Sequence, residues 1–507
     1  MNKTKTDNGN KLIRSSAVVL VAMLVAKLSA LFEDSVVASM IGTTDTADSY
    51  YMSADVIQLF WYFGTLGIVR VFLPEYKKKL TNSGSDSAER YSDNMMSLFT
   101  IFSLSISILL LLFSLPLVKL VAYGFTSENK QICSEYVRYR TPQILFWCWT
   151  AMLTAKLQSN NKFLVSKIPE ILVHIPVIVI SIILFKKYGI ITLFLGLFIG
   201  SIIGFLSQLI FSDNQKLFTL SFDLREEGVK DSLKRMPAAF VSAALTQINS
   251  MIDKIMASSL ISGAVSSLSY GHKMYTAVNG LISGAISTVS YPKITEYVAK
   301  GNNKELGDFL RNVLRLLLFI MIPFSFSLVL FSKELTTILF MRGAFNADSV
   351  KNVSVVFSTY AVGLCFSGAS NIIQLVYFAY GDTRTPMITS IIGITCNIVL
   401  NLILVRIFEV YGISAASSCA AIITFSCLLY ILKSRIRIIN ASLVLNIVKT
   451  LILSLISCFT AYYIACYFIT LSHDIIKLIV GGTIGIVMYA VLTFLFDKDI
   501  FKIARTL

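Results

Sequence analysis

Apolar residues run along this chain in long, nearly unbroken stretches. Residues 106–113, 177–185 and 316–331 are almost continuously hydrophobic, the pattern of helices in hydrocarbon; barrel strands would alternate apolar and polar positions. A helix of about 20 residues crosses a bilayer core of about 30 Å, and only helices or closed barrels satisfy their backbone polar groups there. Dividing the chain at its polar breaks predicts about fourteen such spans by that length criterion. They fall near 13–41, 46–74, 93–121, 132–158, 161–185, 189–212, 233–259, 264–292, 307–332, 350–380, 385–408, 412–433, 444–471 and 474–497. The third, ninth and thirteenth stand out on hydropathy alone. The first, second, seventh and eighth carry charges or many small polar residues.

Composition agrees with an all-α, polytopic membrane protein. Of 507 residues, 55% are hydrophobic and only 14% charged, outside the usual range of soluble chains. The net charge of +15 would suit a nucleic-acid partner, but its placement speaks against one. Basic residues gather on alternate loops: Lys3, Lys5, Lys11 and Arg14; Lys77, Lys78, Lys79 and Arg90; Lys216, Arg225, Lys230, Lys234 and Arg235. Lys293, Lys300 and Lys304, then Lys433, Arg435 and Arg437, then Lys498, Lys502 and Arg505 continue the series. This positive-inside pattern predicts both termini in the cytoplasm and an even number of spans. No cleavable signal peptide is expected at the start. The eight cysteines lack C-x-x-C spacing and the three histidines do not cluster, so neither a disulfide framework nor a metal cofactor is expected.

Residues 36–76 and 255–297 resemble one another. Both run Ala-Ser, a short loop, Ser-Tyr, a small-residue helix, then Pro followed closely by Glu-Tyr. Ala38 pairs with Ala257, Gly64 with Gly284, Pro74 with Pro292 and Tyr76 with Tyr297. The separation covers six spans, which predicts parallel repeats with a substrate site between them near mid-membrane. The expected organisation is an N-terminal lobe over 1–215, a C-terminal lobe over 216–440, and a helix pair over 441–507. Gly64, Gly67, Gly280 and Gly284 would let helices pack closely and bend.

Charges inside spans are expensive and suggest function. The first span carries Lys27, Glu33 and Asp34; the second Asp48, Asp55 and Arg70; the fourth Arg138, Arg140 and Lys156. The fifth has Glu170 and His174 one turn apart, the seventh Asp253 and Lys254, the eighth His272 and Lys273. Charge concentrated on the repeated helices and their neighbours implies a water-filled cavity; the alternative is snorkelling from helix ends. Both readings stand for Asp48, Arg138, Arg140, Lys156 and Asp253, whereas Lys27 and Lys273 fall nearer the membrane interior. Cations in a cavity suit an anionic substrate such as a pyrophosphate.

These segments also carry a family resemblance. The stretch ASMIGTTDTADSYYMSAD within residues 34–74, the stretch 247–297, LFMRGAFNADSV at 339–350, YAVGL, FAYGDTRTP at 378–386 and NIVLNLILV together resemble the MurJ/MviN lipid II flippases. More broadly they resemble the superfamily of multidrug and polysaccharide exporters. The resemblance implies a fourteen-helix, two-lobed fold alternating between inward-open and outward-open states in a bacterial cytoplasmic membrane. It implies lipid II, or a similar undecaprenyl-pyrophosphate-linked sugar, as substrate, and a groove for the lipid tail along the last two helices. The family's first-helix arginines correspond here to Lys27 and Glu33, with Asp34 and Asp48 kept. Its second-helix arginines fall near Trp61 and Tyr62, and its eighth-helix arginine corresponds to Lys273, preceded by His272. It further implies a sodium site from Asp253, Asn397, Asn401 and Ser417, oxygen ligands suiting a hard cation; the asparagines bridging helices by hydrogen bonds is the alternative.

An enzyme is not expected. The longest outside loop, 333–350, offers only Glu334, Arg342 and Asp348 as charged groups with a possible role, and no nucleophile–base pair or phosphate-cradling glycine loop occurs. Without a Walker motif, the drive would come from sodium, protons or the membrane potential. The expected function is a flippase with Lys27 and Lys273 at the pyrophosphate, then Arg70, Arg138 and Arg140, while Asp34 and Asp48 organise the gate. The alternatives are a flippase for another lipid-linked oligosaccharide (capsule, exopolysaccharide or O-antigen) and a multidrug–cation antiporter, which Glu33, Asp34, Asp48 and Asp55 keep open. A two-lobe plan needs no partner subunit, so a monomer is expected.

Overall fold

The computed structural model describes residues 2–506 apart from 161, 212–218, 437, 439 and 469–473. Side chains of 2–20, 62–68, 70, 227, 238–246 and 504–506 lie outside the description as well. No strand occurs among the described residues, and each expected span is occupied by a helix or a broken helix. The chain divides into two compact units, Met1–Val265 and Ser266–Leu507.

The first unit begins with α1 (Asn2–Ile41) and α2 (Asp45–Asn82). Thr44 starts α2 by accepting the amide of Ala47 at 3.3 Å, with Asp45 and Asp48 in the first turn, where acids oppose the helix dipole. The third helix, α3 (Ser85–Val121), kinks at Phe113, three residues before Pro116. The fourth span is α4 (Ser127–Arg140) and α5 (Gln143–Ser159), separated at Thr141-Pro142, where both residues keep helical angles but proline has no amide hydrogen to continue the ladder. The fifth is a 3-10 turn (Val165–Lys167), then α6 (Ile168–Leu172) and α7 (His174–Tyr188). The sixth is α8 (Ile191–Ile210), and α9 (Glu227–Ala257) follows. This seventh span, beyond the sequence boundary at 215, packs along α2 within the first unit.

Close helix approach in this unit falls on α8. A Cβ on Gly196 would lie 2.6 Å from the Val177 Cα, and one on Gly200 2.3 Å from the Val173 carbonyl oxygen, so only hydrogen fits. By contrast, a Cβ on Gly280 or Gly284 would meet nothing within 4 Å. The small residues singled out there therefore border open space in this conformation and do not bring helices together. Gly64 and Gly67 fall outside the described side chains. The core joins α2, α3, α5 and α9: Phe72 stacks on Tyr76 and Tyr91 at 5.3 and 5.4 Å between ring centres, over Met95, Met152 and Met236.

The second unit runs α10 (Ala264–Ala299), α11 (Asn303–Leu330), α12 (Ser332–Phe340), α13 (Ala347–Val362) and α14 (Leu364–Ala379). Then come α15 (Arg384–Leu432), α16 (Ala441–Phe468), α17 (Asp474–Phe496) and α18 (Asp499–Thr506). The helices α13 and α14 form one span bent by 44°. The element α15 is two spans: Glu409, at φ 50° and ψ −130°, breaks it, between the two expected helices. The helix α11 packs against α13, α14 and α16, and α16 pairs with α17. Outward from that pair stand exposed Leu445, Ile452, Phe459, Ile479, Ile486 and Phe494, an apolar surface suited to lipid.

Among the described residues, seven helices qualify as membrane-spanning by length and composition alone, an eighth if the bent pair counts as one. The long helices α1, α2, α9 and α10 are not among them, and these carry most of the intramembrane charge named above. The protein is a polytopic, all-α membrane protein.

Candidate functional site

In the first unit the charged side chains are buried and engaged. Glu33, Asp34, Asp48, Asp55, Arg140, Asp253 and Lys254 are each less than a tenth exposed. Lys254 on α9 places its Nζ 2.8 and 2.7 Å from the two carboxylate oxygens of Asp55 on α2. Arg140, closing α4, lies over the ring of Tyr50 at 4.3 Å and donates to Ser53 Oγ at 3.1 Å. Phe194 covers it further, at 5.3 Å. Its guanidinium is thus caged by aromatic faces. Arg138, two residues earlier, is exposed and donates to Ser114 Oγ at 2.8 Å.

Asp48 accepts the amide of Gly263 at 2.8 Å. Gly263 adopts φ +88°, and a Cβ there would stand 2.6 Å from the Thr43 carbonyl oxygen. Nearby, Gly124 donates to Ser258 Oγ at 3.4 Å, with its own Cβ position 2.3 Å from the Ser259 Cα. The turns after α1, α3 and α9 are therefore knitted together at one end of the unit.

At the opposite, basic end, Glu226 accepts from Lys79 Nζ at 2.7 Å and Asn94 Nδ2 at 2.7 Å. Asn94 Oδ1 takes the amide of Asp223 at 3.0 Å, Ser97 Oγ that of Ser221 at 3.0 Å, and Tyr91 bonds Ser232 at 2.6 Å. Lys156 is not an open cavity cation: Glu89 holds it at 2.6 Å and also accepts from Tyr76 Oη at 3.0 Å. The helix α9 is tied to α2 and α3 at both ends.

Lys27 is the contrast. It lies exposed on α1 and pairs with no acid among the described residues. Arg70 sits on α2 but its side chain is outside the described residues. In the second unit, Lys273 is half-buried on α10. The ring of His272 lies 6.0 Å from Tyr275 and 5.5 Å from Tyr360, and those two tyrosines stack at 5.7 Å.

Further along α10, Asn279 Nδ2 donates to Ser367 Oγ at 3.1 Å and Asn371 Nδ2 to Ser283 Oγ at 3.3 Å. This polar ladder between α10 and α14 was not singled out from the sequence. The paired i, i+4 spacings of 279/283 and 367/371 were its signal.

Asn397, Asn401 and Ser417 do meet on α15. Asn397 Nδ2 lies 3.1 Å from Ser417 Oγ, and Asn401 Nδ2 3.1 Å from Asn397 Oδ1. That set bridges the two halves of α15 and supplies side-chain oxygens of the type a hard cation takes. Asp253 belongs to the first unit. No cluster of three His, Cys, Asp or Glu side chains occurs among the described residues.

Outside the spans, Asp382 organises the turn between α14 and α15. It accepts Thr385 N and Oγ1 at 3.0 and 2.9 Å and Arg435 Nη2 at 2.8 Å. The Thr385 amide, seconded by the Thr385 hydroxyl and Arg435, holds this carboxyl below the usual range.

The family model described as "Lipid II flippase MurJ" matches residues 37–480. A probable lipid II flippase MurJ of Rickettsia prowazekii is 26% identical over 416 residues, 81% of this chain and 82% of its own. One from Borreliella burgdorferi is 23% identical over 472 residues and 92% of each chain. A solved lipid II flippase MurJ in an inward closed conformation superposes with TM-score 0.83 at 25% identity, covering 96% of this chain and 100% of its own. An inward-facing multidrug resistance MATE transporter shares the fold, at TM-score 0.62 and 12% identity over 80% of this chain and 98% of its own. The matched region takes in most of both units, from the last residues of α1 onward, while Lys27, Glu33 and Asp34 precede it; the chain belongs to the lipid II flippase MurJ family.

Proposed function

We propose that this protein flips lipid II, an undecaprenyl-pyrophosphate-linked precursor, across a bacterial cytoplasmic membrane by alternating access, with both termini in the cytoplasm. What carries the reading is the family match over residues 37–480, joined to the superposition on a lipid II flippase over 96% of the chain. Lys27 and Lys273 are the proposed headgroup cations. In the first unit, Lys27 stands exposed while Arg140, Lys156 and Lys254 are spent on internal partners. A lysine supplies a point charge to a pyrophosphate, whereas arginine would add a bidentate grip.

Asp48 serves the gate: its bond to the Gly263 amide ties two turns that must separate when their own end opens. In the reading with cytoplasmic termini, that tie closes the outer end. Asn397, Asn401 and Ser417 are proposed to take a coupling sodium ion within the second unit. The protein acts as a monomer.

Complementation tests the reading. In a strain depleted of its own lipid II flippase, expression of this chain restores growth and externally accessible lipid II. A membrane-inserted protein that restores neither refutes it. A second reading, flipping of another undecaprenyl-linked glycan, is favoured by one observation: Glu33, Trp61 and Tyr62 stand where the family resemblance places arginines, which thins the positive charge. Under it, the same strain stays unrescued while a strain lacking a polysaccharide flippase recovers.

A further inference from the structure

In the first unit, His174 Nδ1 and Glu33 Oε2 form a hydrogen bond between α7 and α1. Glu33 stands eight residues before the end of α1, and His174 opens an α7 that runs on to Tyr188. At 1.5 Å per residue these place the two groups roughly 12 Å and 21 Å from their helix ends, well inside the span. Ionisable groups at such depth are retained for function by default. The glutamate also departs from the pattern of the family resemblance, which places a first-helix arginine there.

The surroundings single out this pair. Glu170, one turn before His174 in sequence, is exposed and bonds Lys167 at 2.6 Å. On α1 the neighbouring charges are Lys27 and the buried Asp34. On α7 the others are Lys186 and Lys187 at its far end, and α8 has none. The side chains of His174 and Glu33 are 21% and 12% exposed, so protons reach them.

We infer that Glu33 and His174 form a proton-binding site whose occupancy sets the contact between α1 and the broken fifth span. This deepens the transport reading by naming a coupling ion for the first unit. Imidazole is the side chain whose charge changes near neutral pH. With Nδ1–H directed at Glu33, the incoming proton adds at Nε2. The pair then passes from net −1, a neutral imidazole beside a carboxylate, to net zero, an imidazolium beside a carboxylate. The protonated form gains a charge-assisted bond and carries no net charge into low dielectric. The joint it controls is tight: Gly200 leaves no room for a Cβ against the Val173 carbonyl oxygen, so α7 moves by turning about Val173.

The test needs no substrate. The chain has three histidines, so labelled imidazole resonances are few, and His174→Gln assigns the one in question. In purified wild type, the His174 signal shifts as the proton binds. Amide exchange in the first turn of α7, corrected for intrinsic rates, quickens several-fold as the proton leaves. In Glu33→Gln, proton affinity at His174 falls about tenfold or more, because the neighbouring carboxylate charge is gone. A wild-type signal unchanged from about pH 4 to 9 overturns the proposal without the variant. So does an affinity that moves less than about twofold in the variant, or α7 exchange that ignores the titration. Because neither readout uses lipid II, these outcomes leave the flipping reading standing, and failed complementation leaves the proton site standing.

Discussion

The ion pair between Asp55 and Lys254 gives the sharpest quantitative expectation. Its partners lie on α2 and α9, with side chains 4% and 11% exposed, so removing either leaves the other charge in a buried site. Breaking one partner of such a pair costs about 3–5 kcal/mol, while replacing both by apolar groups is often neutral or stabilising. Asp55→Asn or Lys254→Met should therefore lower the midpoint of thermal unfolding by roughly 6–10 °C, taking about 2 °C per kcal/mol for a unit of this size. The double variant Asp55→Leu with Lys254→Met should recover to within about 1 kcal/mol of wild type. The assay is a double-mutant cycle on purified protein in one detergent, at a fixed heating rate. If both single variants match wild type, the charges are solvated and the burial argument fails. If the double variant loses the sum of the singles, the residues do not act as a pair.

Other contacts make separate predictions. Gly124→Ala should force its turn away from Ser259, costing about 1–3 kcal/mol as overpacking does. Exchange of the amide at position 124, which donates to Ser258 Oγ, should then quicken several-fold; unchanged exchange contradicts the tie. Glu226→Gln should loosen the strap over α3, because hydrogen bonds to a charged group contribute about 1.5–3 kcal/mol; faster protease cleavage in the 219–226 segment reports it. Asp382→Asn should destabilise at neutral pH. Since the folded carboxyl is held below the usual range, its contribution is present above the ordinary value of about 3.9 and fades as pH falls through the folded one. Denaturation of wild type and variant should converge in acid, and a constant gap would contradict the assignment.

Much of the fold was legible because hydrophobic run length is a strong signal. The break at Glu409 lies where two spans were expected to meet, and Pro142, lacking an amide hydrogen, interrupts the fourth span. Partnering was much less legible. Glu170 and His174 share a helical face in sequence, yet one bonds Lys167 and the other Glu33. Close packing at Gly196 and Gly200, but not at Gly280 and Gly284, depends on which helix lies opposite, and one chain's pattern does not say. Likewise, Lys27 and Arg140 look alike as intramembrane cations. Only the placement of Tyr50, Ser53 and Phe194 shows that Arg140 is enclosed while Lys27 is exposed.

Transport itself can be measured on purified protein. Reconstituted in vesicles with labelled lipid II in the inner leaflet, wild type should deliver headgroups to an outer-leaflet reagent much faster than empty vesicles do. Lys27→Ala combined with Lys273→Ala should reduce that rate at least about tenfold, since each lost charged contact is worth about 1.5–3 kcal/mol, while thermal stability holds. Flipping by wild type that is no faster than in protein-free vesicles would contradict the central claim.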